Sequence, residues 1–133
     1  MERRATITIR GKDASYTARG VWASAKNGWR LVYDEPAEHG MAGVTTALAL
    51  SERCAVLTRT GAVRSEFRFA EGERHSSVYE TAHGSFPAEV ATHSLRAKLG
   101  EHGGLFEARY TLTLGGAADE LRLKILIRTE EEA

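Results

Sequence analysis

The sequence predicts an all-β protein, a single antiparallel and mostly up-and-down closed β-barrel of about eight to ten strands. Apolar and polar residues alternate along most of the chain, which in a strand sends one set to each face. Breaks rich in glycine and asparagine separate the alternating runs at short intervals. Thirteen glycines against two prolines, in 133 residues, suit many tight turns.

The elements follow in order. Ala5, Ile7 and Ile9 alternate with Thr6, Thr8 and Arg10 in a strand near 3–10. A second run, 15–25, carries Trp22. Lys26-Asn27-Gly28 is a hairpin signal, because Asn and Gly accept the left-handed backbone of a two-residue turn. Trp29, Leu31 and Tyr33 then alternate with Arg30, Val32 and Asp34 over 29–35. Glu35 to Gly43, with Pro36, Gly40 and Met41, reads as the longest loop. Strands near 43–50 and 53–60 lead through Thr60-Gly61-Ala62 into 63–70. There Val63, Ser65, Phe67 and Phe69 alternate with Arg64, Glu66 and Arg68. Glu71-Gly72-Glu73 precedes a run at 74–82.

Residues 86–99 change phase. Ala88, Val90 and Thr92 hold one parity, and Leu95, Ala97 and Leu99 the other. A β-bulge near His93 or Ser94 accounts for this; a short amphipathic helix over 94–99 is the alternative. His102-Gly103-Gly104 opens the run 105–114, in which Phe106, Ala108, Tyr110, Leu112 and Leu114 share a face. Gly115-Gly116 precedes 119–129, where Leu121, Leu123, Ile125 and Ile127 alternate with Arg122, Lys124, Leu126 and Arg128. Ten meandering strands leave two sheet edges, and closure into a barrel removes them. A two-sheet sandwich is the structural alternative. No linker or repeat divides the chain, so residues 1–133 are expected to form one domain.

Eighteen basic and 18 acidic residues give a formal net charge of zero. A general nucleic-acid binder carries a basic excess, because counterion release drives that binding; no nucleic-acid partner is expected. The apolar runs are too short to span a bilayer as helices, so no membrane association is expected. Cys54 is the single cysteine. It cannot form an intrachain disulfide, which favours a reducing compartment. Met1-Glu2-Arg3-Arg4 runs directly into an alternating strand, with no apolar leader core. A cytoplasmic location is expected.

The order of motifs resembles that of the YwiB-like proteins, a family of uncharacterised bacterial proteins. The shared pieces are Leu31-Val32-Tyr33-Asp34-Glu35-Pro36, Arg59-Thr60-Gly61-Ala62-Val63, Phe69-Ala70-Glu71-Gly72 and Tyr79-Glu80-Thr81-Ala82-His83-Gly84. Thr92-His93-Ser94-Leu95, Gly104 and Tyr110-Thr111-Leu112 complete them. The resemblance implies a calycin-type, lipocalin-like barrel. It implies no reaction and no catalytic residues. Calycins at large include lipocalins and fatty-acid-binding proteins, which hold small apolar ligands inside the barrel. This chain departs from the latter pattern. No helix-turn-helix lid separates its first two strands, and Arg128 is followed by Thr129 and Glu130 rather than by an Arg-x-Tyr clamp.

Few residues carry chemistry of their own. His39, His75, His83, His93 and His102 lack short ligand spacing, so no metal site and no cofactor are predicted. Cys54 opens the apolar run Cys54-Ala55-Val56-Leu57 and reads as a small core residue. Ser76, Ser77 and Ser85 lack a nucleophile elbow. No catalytic constellation emerges. Arg64, Glu66 and Arg68 share a strand face, read as a solvated charged strip or as an anion- or RNA-facing one. Phe67 and Phe69 point away from that strip.

His75, Ser77, Tyr79 and Thr81 share one parity. They form either a polar wall facing a ligand or a satisfied core tyrosine with hydroxyls near the mouth. Trp22 and Trp29 either seal the core or cap an opening. The expected partner is a small, mostly apolar ligand. Its expected lining is Trp22, Trp29, Tyr33, Phe67, Tyr79, Thr81, His93 and Tyr110, with Arg59 as polar anchor. The alternative is a filled barrel that meets other proteins through its outer surface. Oligomeric state is not encoded in any of these features.

Overall fold

A computed structural model of the chain describes residues 2–11, 15–36 and 42–130. The described residues form ten strands and no helix. These are β1 (Glu2–Arg10), β2 (Ser15–Ala25), β3 (Gly28–Asp34), β4 (Val44–Leu50), β5 (Cys54–Gly61), β6 (Ser65–Ala70), β7 (Arg74–Thr81), β8 (Gly84–Gly100), β9 (Gly103–Leu114) and β10 (Ala117–Thr129). Residues 37–41 of the expected long loop, His39 among them, lie outside the described residues.

All neighbours are antiparallel, in the order β6-β5-β4-β3-β2-β1-β10-β9-β8-β7. The meander therefore bends round until its first and last strands pair. Ala5 faces Thr129 and Arg10 faces Lys124 across that junction. The remaining break falls between β6 and β7, in the middle of the chain. There the barrel is nearly closed by one bridge: Arg64 and Glu80 exchange N–H···O bonds of 2.9 and 2.8 Å.

The alternating pattern becomes the burial pattern. Inward residues form one cluster that includes Ile7, Trp22, Leu31, Leu48, Phe69, Phe106 and Ile125, each almost fully buried. Phe69 packs edge-on against Phe106 and Tyr110, with ring centroids 6.3 and 4.9 Å away. Large inward side chains remove apolar surface from water, the dominant favourable contribution to folding.

The phase change in β8 is a bulge. The register with β9 shifts between Thr92 and Ser94, and residues 94–99 continue as strand rather than helix. The strand wins because β9 supplies hydrogen-bond partners along its whole length, where propensity alone was neutral. One expectation fails here. The extra residue of the bulge is His93, which is exposed on the outer face and bonded through Nε2 to Thr111 Oγ1 at 2.7 Å. It does not line the interior; Thr92 does, at 3 % exposure.

Candidate functional site

The barrel has two unlike ends. At one end Trp22 is fully buried and donates its indole N–H to the Gly100 carbonyl at 2.9 Å. Trp29 lies flat on it, ring centroids 5.3 Å apart and nearly parallel. Trp22 thus seals the core. Trp29 is half-buried and faces a surface trough of about 940 Å³ framed by the turns at 27–29 and 51–53 and by Ala97, Lys98 and Leu99.

Toward the other end the inward positions turn polar. Leu31, Tyr33 and Glu35 keep one parity, so β3 carries a carboxylate into the interior, where Glu35 is buried. Tyr16 donates to its Oε2 at 2.8 Å and Thr46 to its Oε1 at 3.0 Å. Gly20 makes room for this arrangement: a Cβ there would lie 2.9 Å from the Tyr33 Cβ and 2.4 Å from the Val32 carbonyl oxygen. Burial first, and then the Glu35 carboxylate, push the phenols of Tyr16 and Tyr33 far above their ordinary range. Tyr110 is raised by burial, against the opposing charge of Arg59.

Arg59 brings a cation to this part of the interior. Ala55, Leu57 and Arg59 share a face of β5, and Ser65 is its cross-strand partner on β6. The Arg59 Nε is buried without a hydrogen-bond partner in the protein. So are Ser65 Oγ on β6, His75 Nδ1 and Ser77 Oγ on β7, and Thr92 Oγ1 on β8. These five atoms stand on the inward faces of four consecutive strands, on both sides of the incompletely paired junction. A buried polar atom with no partner costs roughly 1–3 kcal/mol. A dry wall of them would rival the whole stability of a domain, so these atoms need a polar partner from outside the chain.

The junction itself is an open seam. No ladder bonds join Glu66–Ala70 to Arg74–Val78; below the Arg64–Glu80 bridge the next backbone bond between the strands' ends is in the turn, from the Glu73 N–H to the Ala70 carbonyl at 3.0 Å. Phe67 and Tyr79 stack across the seam with centroids 6.4 Å apart. A cleft of about 550 Å³ opens over it, lined by Arg59, Arg64, Ser65, Glu66, Ser77 and Glu80, among others. The trough under Trp29 is larger, yet none of the unpartnered buried atoms lines it. Chemistry therefore favours the seam.

Of the expected lining, Tyr33, Phe67 and Tyr110 are buried in the core, Tyr79 packs against it in contact with Phe67, and Arg59 follows Ala55 and Leu57 on the inward face of β5. Thr81 stands at the rim, where its Oγ1 accepts the His83 N–H at 3.0 Å. Ser77 belongs to the polar wall that the sequence suggests, whereas Tyr16, Glu35, Thr46, Ser65 and Thr92 escape sequence reasoning as site residues. Their signal is parity: each is a polar residue at an inward position of an alternating strand. The charged strip of Arg64, Glu66 and Arg68 is exposed on the outer face. Among the described residues no three His, Cys, Asp or Glu side chains converge as metal ligands do, and no helix is long and apolar enough to cross a membrane.

A ten-stranded antiparallel barrel with an apolar core, a polar inner wall and one open seam is the class that this geometry defines. Over residues 4–125 the chain belongs to the family described as a domain of unknown function, DUF1934. It is 26% identical over 106 residues to the uncharacterized beta-barrel protein YwiB of Bacillus subtilis (strain 168), covering 80% of this chain and 73% of that protein. The crystal structure of the ywiB protein from Bacillus subtilis superposes with a TM-score of 0.81 at 20% identity, over 98% of this chain and 94% of that one. That likeness establishes the shared barrel fold.

Proposed function

We propose that the protein binds a small ligand inside the barrel, with an apolar body and a polar end. The observation that carries this is the row of unpartnered polar atoms on β5–β8 beside the stacked Phe67 and Tyr79. Pockets that bind small molecules combine an apolar lining with a few placed polar groups. The calycin-type, lipocalin-like assignment and the reading of the chain as one domain belong to this proposal. The lone Cys54 supports a reducing compartment such as the cytoplasm.

A neutral fluorescent probe, N-phenyl-1-naphthylamine, tests the reading. Saturable one-to-one uptake, displaced by octan-1-ol and blocked by Ser77→Trp, is the expected result. Uptake that never saturates, or that Ser77→Trp leaves unchanged in a folded protein, counts against it.

A second reading rests on the outer face of β2–β5. Val21, Val32, Ala47 and Thr58 stand side by side across four strands, and a shallow groove of about 320 Å³ runs over Val32, Ala47, Ala49 and Val56. A small apolar patch of this kind suits a protein contact. Sedimentation at rising concentration, comparing the parent with Ala47→Glu, separates this reading from a monomeric binder.

A further inference from the structure

Building on the interior-ligand reading, we propose that Arg59, Ser65 and Ser77 hold the carboxylate of a small amphipathic acid that enters through the β6–β7 seam. Their three unpartnered polar groups line one cleft. Arg59 is half-buried with its Nε unpartnered, and a guanidinium, which stays charged at any physiological pH, favours an anion in such a place. The buried carboxylate of Glu35 is occupied by the Tyr16 and Thr46 hydroxyls. It forms no ion pair with Arg59, so the cation is left for a ligand.

The apolar part has a place beside it. Ser65 and Phe67 are neighbours on the inner face of β6, as are Ser77 and Tyr79 on β7. Extending the Arg64–Glu80 register places Ser65 opposite Tyr79 and Phe67 opposite Ser77. Hydroxyls and aromatic rings therefore alternate around the opening, and a short chain passing it meets both.

The seam also restricts what can enter. The Arg64–Glu80 bridge pins one end, and the turn held by the Glu73 N–H on the Ala70 carbonyl closes the other. A polypeptide strand would have to break one of these to insert, whereas a slender molecule would not. Glu66 and Glu80 stand at the cleft's outer rim with Arg64. Two carboxylates there disfavour a dianion such as a phosphate monoester more than a monoanion.

Calorimetric titration of the intact protein with octanoate, octan-1-ol and inorganic phosphate tests this. Octanoate is expected to bind one-to-one, about 30-fold tighter than octan-1-ol, the effect of one charge-assisted hydrogen-bonded contact. Arg59→Met should weaken octanoate about 30-fold and change octan-1-ol less than about 3-fold. Should Arg59→Met fail to fold, the double variant Ser65→Ala/Ser77→Ala takes its place, with an expected loss of about 10-fold for octanoate alone. Equal affinity for acid and alcohol, or octanoate binding unchanged by these variants, overturns the carboxylate site and leaves the interior-ligand reading standing. Phosphate binding tighter than octanoate overturns the choice of anion. Binding of neither octanoate nor octan-1-ol overturns both readings.

Discussion

Replacing Thr92 by valine isolates the cost of one polar atom on the inner wall. Thr92 is 3 % exposed, and its backbone is held by the Gly72 N–H on its carbonyl and by its own N–H on the Glu73 carbonyl at 3.0 Å. Its Oγ1 has no partner in the protein. Valine has nearly the same shape, so neither a cavity nor an overlap enters the comparison. Relief of an unpaired buried hydroxyl is worth roughly 1–3 kcal/mol, and the methyl adds up to about 0.8 kcal/mol of apolar burial. Water reaching the seam reduces both, and the expected net gain is about 1–2 kcal/mol. With an unfolding entropy of roughly 2.1 cal/mol/K per residue over 133 residues, that is a rise in Tm of about 4–7 °C. Urea unfolding followed by tryptophan fluorescence, at unchanged m value, measures the same quantity. A loss of about 0.5 kcal/mol or more would mean that the hydroxyl has a structural partner, and the argument from an unsatisfied inner wall would fall.

Other outcomes follow from the same geometry. Phe69→Ala removes a fully buried ring between Phe106 and Tyr110 and should cost about 3–5 kcal/mol in urea unfolding. Gly104→Ala should leave little folded protein by circular dichroism, because its φ is +146° and a Cβ would sit 1.9 Å from the Lys98 carbonyl oxygen. Tyr16, Tyr33 and Tyr110 have raised folded-state values, so the stability they contribute is complete below pH 10 or so and is lost as pH rises beyond it. Spectrophotometric titration should show their phenolates forming together with alkaline unfolding, not before it. Glu107 is held below the usual carboxylate range, chiefly by its hydrogen bonds from Arg122. Its contribution is present above about pH 4–5 and lost as pH falls through the lowered value. Arg122→Ala should return its NMR titration midpoint toward the ordinary value.

Most of the fold was legible because a strand's period of two writes burial directly into sequence. Leu121, Leu123, Ile125 and Ile127 could face one way in a strand and not in a helix. The phase change at 92–95 located the bulge for the same reason. What it did not reveal was which residue the bulge expels. Thr92 and His93 are adjacent, and only pairing with β9 decides that His93 turns outward. The site was half legible. Arg59 reads as a polar anchor from sequence, and its place in the inward set with Ala55 and Leu57 is the reason it is one of the polar groups on the inner wall. The same parity carries Glu35 inward after Leu31 and Tyr33, although its position beside Pro36 makes it read as the start of a loop. The seam was not legible at all. Closure as such follows from the need to remove two sheet edges, but that β1 pairs with β10 and the gap falls between β6 and β7 is a long-range fact that no local pattern encodes.

Two-dimensional NMR of the intact protein titrated with octan-1-ol tests the central claim most directly, because a neutral probe separates interior binding from any question of charge. Interior binding predicts saturable shifts at Arg59, Phe67, Ser77, Tyr79 and Thr92, with Val32 and Ala47 on the outer face unmoved. Shifts confined to the outer face or to the trough under Trp29, or none that saturate, would contradict it.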